Sequence, residues 1–320
     1  MIASNKIFKS DNFNDLFVDV SQYLIDKGKL TNPRGFNCYE IVSPQLILTN
    51  PGNALITIKE RKLNYAYLII EKFTYLSQIS KPDAILDYNK NMVNFLNEET
   101  GDFDGSYGAR IACNKQLDYC YNLLKKDKDS RQAVITLHDY RDKRESKDIP
   151  CTLSFQFLIR EEKLNMIVTM RSNDIVWGTC LDIPAFIFLQ EVLASWLNIE
   201  MGEYIHNAGS MHYYDYHNEM LPKIIEKKDE LVFEKTPDWN LNREETKKAL
   251  LEFWTNEALI RGKPSYKDYT TKYSVINYYL QRLQEYWIKK NKICITCGTK
   301  LKKNETRECN KCWNIERSDI

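Results

Sequence analysis

The chain has 320 residues, of which 43% are hydrophobic. That is enough for one large domain of mixed α and β structure with a small appendage, or for two ordinary domains. Lys plus Arg number 45 against 44 for Asp plus Glu, a balance that excludes a protein built around a broad basic face for nucleic acid or acidic membranes.

The amino-terminal stretch MIASNKIFKSDNFNDLF lacks the basic start and apolar run of a secretory signal, and the sequence suggests no membrane span. Cys38, Cys113, Cys120, Cys151 and Cys180 are scattered and odd in number, which fits reduced thiols. A cytoplasmic location is the expectation. Residues 10–28 carry apolar side chains at helical spacing after a Ser/Asp start, and 38–50 reads as extended. Residues 63–79 predict a buried helix interrupted by Glu71 and Lys72, stopped near Pro82. The turn-rich segment 100–110 leads into an amphipathic helix that ends in charge near 131. Strands are expected over 131–140, 152–174 and 202–217, with a helix over 183–199. A final amphipathic helix spans 274–290, and a boundary near 290 sets off a cysteine-rich terminus. This divides the chain into 1–290 and 291–320.

The densest chemistry begins at Pro150-Cys151-Thr152 and continues through Phe155-Gln156-Phe157 to Arg171-Ser172-Asn173-Asp174, Gly178 and His212-x-Tyr214. A lone cysteine at a strand start is ordinarily a small core hydrophobe. The order and intervals of this set, however, resemble the thymidylate synthase superfamily over roughly residues 30–220, and its Met-Arg-Ser-Asn-Asp run is similar to the deoxycytidylate hydroxymethylase branch. The resemblance implies an α+β, three-layer fold around a large mixed sheet. It also implies a pyrimidine nucleoside monophosphate as substrate and 5,10-methylenetetrahydrofolate as one-carbon donor.

By the same resemblance, Cys151 adds to C6 of the pyrimidine so that C5 becomes nucleophilic. Arg171 and Ser172 take the phosphate, with Arg171 placed to lower the cysteine pKa. Arg34, in Asn32-Pro33-Arg34-Gly35, resembles a phosphate-clamping loop. Arg131 resembles a residue lent across a homodimer to the partner's site, which makes the active sites shared. His212 and Tyr214 match contacts to the sugar, Tyr107 a hydrogen-bonding partner near the cysteine, and Asp174 and Phe95 the folate site. Glu71 matches the glutamate that moves protons through ordered water, its pKa raised by burial.

Asp182 falls where thymidylate synthases place an asparagine that reads uracil, and an ionised carboxylate suits cytosine's amine instead. An alternative is a helix cap ahead of Pro184. With Phe95 in place of a tryptophan and without the family's closing tail, water is expected to reach the one-carbon unit. The expectation is therefore hydroxymethylation of dCMP or CMP. C5 methylation and a catalytically silent nucleotide-binding protein are the alternatives.

Cys294 and Cys297, then Cys309 and Cys312, form two CxxC pairs with the spacing of a zinc ribbon. Four thiolates complete a tetrahedron, so a structural Zn2+ is expected rather than a catalytic one. The lysines around them fit a nucleic-acid or protein contact as well as an ordinary solvated coat.

Overall fold

The computed structural model describes residues 6–139, 142, 146–228, 236–264, 270–293 and 299–302. The chain forms two compact units, Met1–Thr236 and Pro237–Ile320. The division falls well before the boundary near 290 read from the sequence.

In the first unit, strands β1 (Ile7–Ser10), β2 (Lys29–Thr31), β3 (Cys38–Val42), β4 (Gln45–Leu48), β5 (Val134–Thr136), β6 (Thr152–Arg160), β7 (Lys163–Asp174) and β8 (Glu200–Tyr214) make one sheet. The path runs β1-β4-β8-β7-β6-β5, with β3 also on β8 and β2 on β3. It is mixed, because β7 and β8 run parallel while β6 and β7, and β4 and β8, are antiparallel. Two left-handed residues, Glu161 and Glu162, make the tight turn between β6 and β7.

Helices α1 (Phe13–Lys27), α2 (Tyr65–Ser77), α3 (Pro82–Tyr88), α4 (Tyr107–Ala112), α5 (Gln116–Lys126), α6 (Thr179–Leu197) and α7 (Met220–Glu226) complete the unit. Asn12 caps α1 and Asn64 caps α2, each accepting a backbone N–H from the first turn. The core lies where α6 packs on β7, β8 and α2, with Phe73, Phe155, Phe157, Phe186 and Phe188 almost fully buried. By composition and length α6 could cross a membrane. Its surroundings are instead sheet and helix, the setting of a core helix.

The helix expected over 183–199 starts earlier, at Thr179. Pro184 is therefore inside α6, and Asp182 sits in its first turn instead of capping it. The strand expected over 131–140 is only β5. In the second unit α8 (Arg243–Gly262) packs against α9 (Ser274–Asn291). A complete capping box of Asn242 and Glu245 starts α8, whereas the sequence reading found no clear element there. Cys294, Cys297, Cys309 and Cys312 lie outside the described residues.

Candidate active site

Cys151 sits one residue before β6, and its carbonyl accepts the Arg171 N–H of β7 at 2.8 Å. The Arg171 side chain reaches back along the same segment, donating from Nε to the Pro150 carbonyl at 3.0 Å and from Nη2 to the Ile149 carbonyl at 2.8 Å. Guanidinium and thiol are thus locked into one arrangement. Burial nevertheless pushes the thiol pKa up, with Asp182 and Asp148 adding to it; Arg171 and Arg34 pull the other way without prevailing. Arg171 thus acts on the thiol in the expected direction, but burial outweighs it.

Thr152 is fully buried. Its N–H and its hydroxyl both donate to the Tyr107 oxygen, at 3.2 and 2.9 Å. The phenol keeps its own proton, because burial and the neighbouring Asp182 and Cys151 hold its pKa well above the usual range. Rings of Tyr75 and Phe186 flank it, with centroids 5.5 and 6.1 Å away.

Glu71 lies on α2 between Tyr67 and Tyr75, both of which donate to its Oε1, at 3.0 and 3.3 Å. The three occupy positions i, i+4 and i+8, one face of the helix. Burial, followed by the charge of Asp182, raises the Glu71 carboxyl to about 8 against the pull of the two hydroxyls. Burial likewise raises Asp182 to about 7, opposed by the hydrogen bond from Asn173. The arrangement holds two interacting carboxyls whose pKa values burial has brought near neutrality.

Asn173 fixes how Asp182 is presented. Its Nδ2 donates to Asp182 Oδ2 at 2.7 Å, while its Oδ1 accepts the Thr179 hydroxyl at 2.6 Å and faces His206 Nε2 at 3.0 Å. The Tyr204 hydroxyl is 2.9 Å from His206 Nδ1. Burial lowers His206 to about 3, so it stays neutral. The network assigns the proton to Nε2 and leaves Nδ1 to accept from Tyr204.

At the other end of the site, β7 and β8 run side by side with Asp174 opposite His212. Asp174 Oδ1 accepts the N–H groups of Val176 at 2.7 Å and Trp177 at 3.1 Å. His212 is buried, and that burial lowers its pKa against the pull of Asp174. Its ring meets Tyr214 edge-on at 5.2 Å. Arg34, left-handed at φ 55°, lies near enough to the Tyr214 hydroxyl to oppose the rise that burial imposes on it. Trp177 is 49% exposed, covering the buried Arg61 guanidinium at 4.9 Å and the His217 ring at 5.3 Å. Neither ring nitrogen of the buried His217 finds a hydrogen-bond partner among the described residues.

The thymidylate synthase family model matches residues 15–275. This chain belongs to the thymidylate synthase family. A protein named deoxyuridylate hydroxymethyltransferase, from Bacillus phage SP01, is 31% identical over 224 residues, which cover 65% of this chain and 58% of that protein. A second of that name, from Delftia phage PhiW-14, is 30% identical over 180 residues, or 52% and 50% of the two chains. The thymidylate synthase of Bacillus mojavensis is 26% identical over 199 residues, or 58% and 70%. The chain thus spans little more than half the length of the two hydroxymethyltransferases. The solved thermostable thymidylate synthase A from Bacillus subtilis shares the fold, with a TM-score of 0.56 at 21% identity over 67% of this chain and 84% of that one.

On this thymidylate synthase fold, Cys151, Arg171, Arg34, Tyr107, Glu71 and Asp182 are linked by the hydrogen bonds and charge interactions given above. Ser172 lies on β7 beside Ser210 of β8. Phe95 is 43% exposed at the end of the 3-10 helix Lys90–Phe95, with no ring contact to Trp177 or Tyr216 among the described residues. Arg131 is exposed, and its carbonyl accepts from Gln156 at 3.0 Å. It is not among the main charged neighbours of Cys151. Sequence reasoning missed Tyr67 and Tyr75, although their four-residue spacing around Glu71 was visible, and it gave no part to Asn173, Thr152, His206, Trp177 or His217.

Proposed function

We propose that this chain is a C5 hydroxymethyltransferase that takes a cytidylate, dCMP or CMP, and 5,10-methylenetetrahydrofolate. The observation that carries the reading is the convergence of a half-buried thiol beside a fixed guanidinium with two carboxyls that titrate at about 7 and about 8. Carboxyls tuned to neutrality suit proton transfer to and from a base.

Arg171, Ser172 and Arg34 hold the phosphate, and His212 with Tyr214 holds the sugar. The Cys151 sulfur bonds to C6 as the thiol proton passes to water. The C5–C6 π pair shifts through the ring, and N3 takes a proton from Asp182. This leaves C5 as the nucleophilic end of an enamine. When bound, 5,10-methylenetetrahydrofolate supplies C5 with one carbon at the formaldehyde level. Asp174 and the exposed Trp177 and Tyr216 fit a planar heterocycle. Once C5 has lost its proton and an exocyclic methylene remains on the ring, water adds to that carbon. Glu71 relays these protons. Breaking the sulfur–C6 bond restores the ring double bond, and N3 returns its proton to Asp182. Tyr107, oriented by Thr152, keeps a hydroxyl beside the sulfur throughout.

Asp182 supports cytosine, because its free oxygen serves the exocyclic amine when ionised and N3 when protonated, whereas an ionised carboxylate repels uracil O4. The names of the two phage relatives favour a second reading, hydroxymethylation of deoxyuridylate. The exposed Arg131 fits a homodimer in which each chain completes its partner's phosphate site. The four terminal cysteines fit a structural Zn2+.

Incubation with methylenetetrahydrofolate and CMP, dCMP, UMP or dUMP separately, followed by product mass, tests the whole. A cytidylate product one oxygen heavier than the methylated one is expected, and Cys151→Ala should abolish it. Exclusive turnover of dUMP refutes the base assignment. Full activity in Cys151→Ala refutes the mechanism.

A further inference from the structure

His217 stands outside the mechanism above, yet it is the least satisfied group in the site. It ends the short 3-10 turn Asp215–His217 that follows β8, five residues beyond His212. The side chain is 2% exposed, and both Nδ1 and Nε2 are buried without a hydrogen-bond partner among the described residues. A buried polar atom left unpaired keeps its desolvation penalty uncompensated, and an imidazole here carries two such atoms. His206, also buried in the site, is by contrast paired at both nitrogens.

Its surroundings fix the ring and narrow what can satisfy it. Tyr216 meets it edge-on with centroids 4.4 Å apart, and Trp177 lies 5.3 Å away, so it cannot swing to another partner without dismantling both contacts. The charged groups acting on it are Asp174 and Arg61, of opposite sign. Burial lowers its pKa, so the ring is neutral and offers one donor and one acceptor. Tyr216 and Trp177 are 60% and 49% exposed, which leaves two flat aromatic faces beside this donor–acceptor pair. Planar aromatic faces flanking a neutral hydrogen-bonding edge match a flat heterocycle with amide and amine groups on its rim.

We infer that His217 is a positioning residue for the bicyclic ring of the one-carbon donor, which stacks on Trp177 and Tyr216 and hydrogen-bonds to the imidazole. This rests on the functional reading above and extends it to a residue that reading does not use. A neutral imidazole suits the task because burial disfavours the charged form, with Arg61 adding to that and Asp174 opposing it.

The test uses the full chain with dCMP and tetrahydrofolate, which lacks the transferable carbon and so binds without turnover. The chain has four histidines, so imidazole 15N signals can be assigned from single substitutions. Addition of tetrahydrofolate should shift the His217 nitrogens and leave His138 unmoved. His217→Phe should weaken tetrahydrofolate binding about tenfold or more, the measure of a lost hydrogen bond. His217→Gln, which retains a donor and an acceptor, should recover most of that loss, and dCMP affinity should change in neither variant. Saturable tetrahydrofolate binding with silent His217 nitrogens overturns the inference alone, as does unaltered affinity in a folded His217→Phe chain. A folded wild-type chain that binds dCMP but no tetrahydrofolate overturns the functional reading and this inference together.

Discussion

Glu71→Gln should make the protein more stable, and by an amount that depends on pH. In the folded chain the Glu71 carboxyl is raised from 4.5 to about 8, while in the unfolded chain it ionises near its ordinary value. Below about pH 4.5 both states hold the proton and the residue is neutral in the balance. As pH rises the unfolded state releases its proton first, so stability is lost progressively until the folded-state carboxyl also ionises near 8. The penalty grows by about 1.4 kcal/mol for each pH unit between the two values. That amounts to roughly 3 kcal/mol at pH 7 and close to 5 kcal/mol above pH 8, an upper bound because Asp182 titrates alongside. Glutamine removes the ionisation and keeps an oxygen to accept from Tyr67 and Tyr75, whose hydroxyls meet Oε1. Urea unfolding of both proteins from pH 4.5 to 9 measures the difference directly. A gap that widens with pH is expected, alongside a severe loss of turnover in the variant. A constant gap across that range would mean that Glu71 is not held protonated by its surroundings, and the proton-transfer argument would fail with it.

Asp182→Asn should turn base preference from dCMP towards dUMP by about tenfold or more in kcat/KM, read as the ratio of the two substrates; an unchanged ratio would show that base choice lies elsewhere. Thr152→Val removes one of the two donors that orient Tyr107, so kcat should fall about tenfold with little change in nucleotide KM and about 1 kcal/mol of lost stability; steady-state kinetics at saturating folate separates the two constants. Arg110→Ala takes from the part-buried Asp142 a two-pronged ion pair at 2.7 and 2.8 Å and leaves it the Asp139 N–H. A destabilisation of about 3–5 kcal/mol in urea is expected, and a loss under 1 kcal/mol would show that the pair is well hydrated.

Much of the fold was legible because hydrophobic period and turn chemistry agree along most of the chain. The helix around Glu71 and the pair of strands from 152 to 174 fall within a few residues of their reading. Two failures have clear causes. Pro184 made the start of α6 look later than it is, since proline usually opens a helix; here the surrounding packing tolerates it one turn further in. The helix at 243–262 carries a mainly polar surface, so its apolar stripe was faint, although Asn242 and Glu245 had announced its beginning. In the site, the residues that resemble the family's motifs were visible as such. Their supports were not, because Asn173, His206 and Thr152 act through contacts made across the sheet or between separate elements, which spacing along one chain does not encode. The net direction of the cysteine's pKa was not legible for a related reason: the lowering guanidinium of Arg171 could be seen, and the extent of burial that outweighs it could not.

In the proposed function the Arg171 side chain does more than hold an anion. Two of its three guanidinium nitrogens are already committed to the carbonyls of Ile149 and Pro150, so under the proposed function the third would meet an arriving phosphate from a frame that is rigid beforehand. The same two bonds tether the short stretch bearing Cys151 to the neighbouring strand. A lysine here would keep the positive charge but lack the fork, and the nucleophile would drift before the phosphate was lost. If Arg171 takes the phosphate as proposed, anion capture and thiol placement become one mechanical property, and a substitution that spares the first while disturbing the second should yield a chain that binds nucleotide well and does nothing to it.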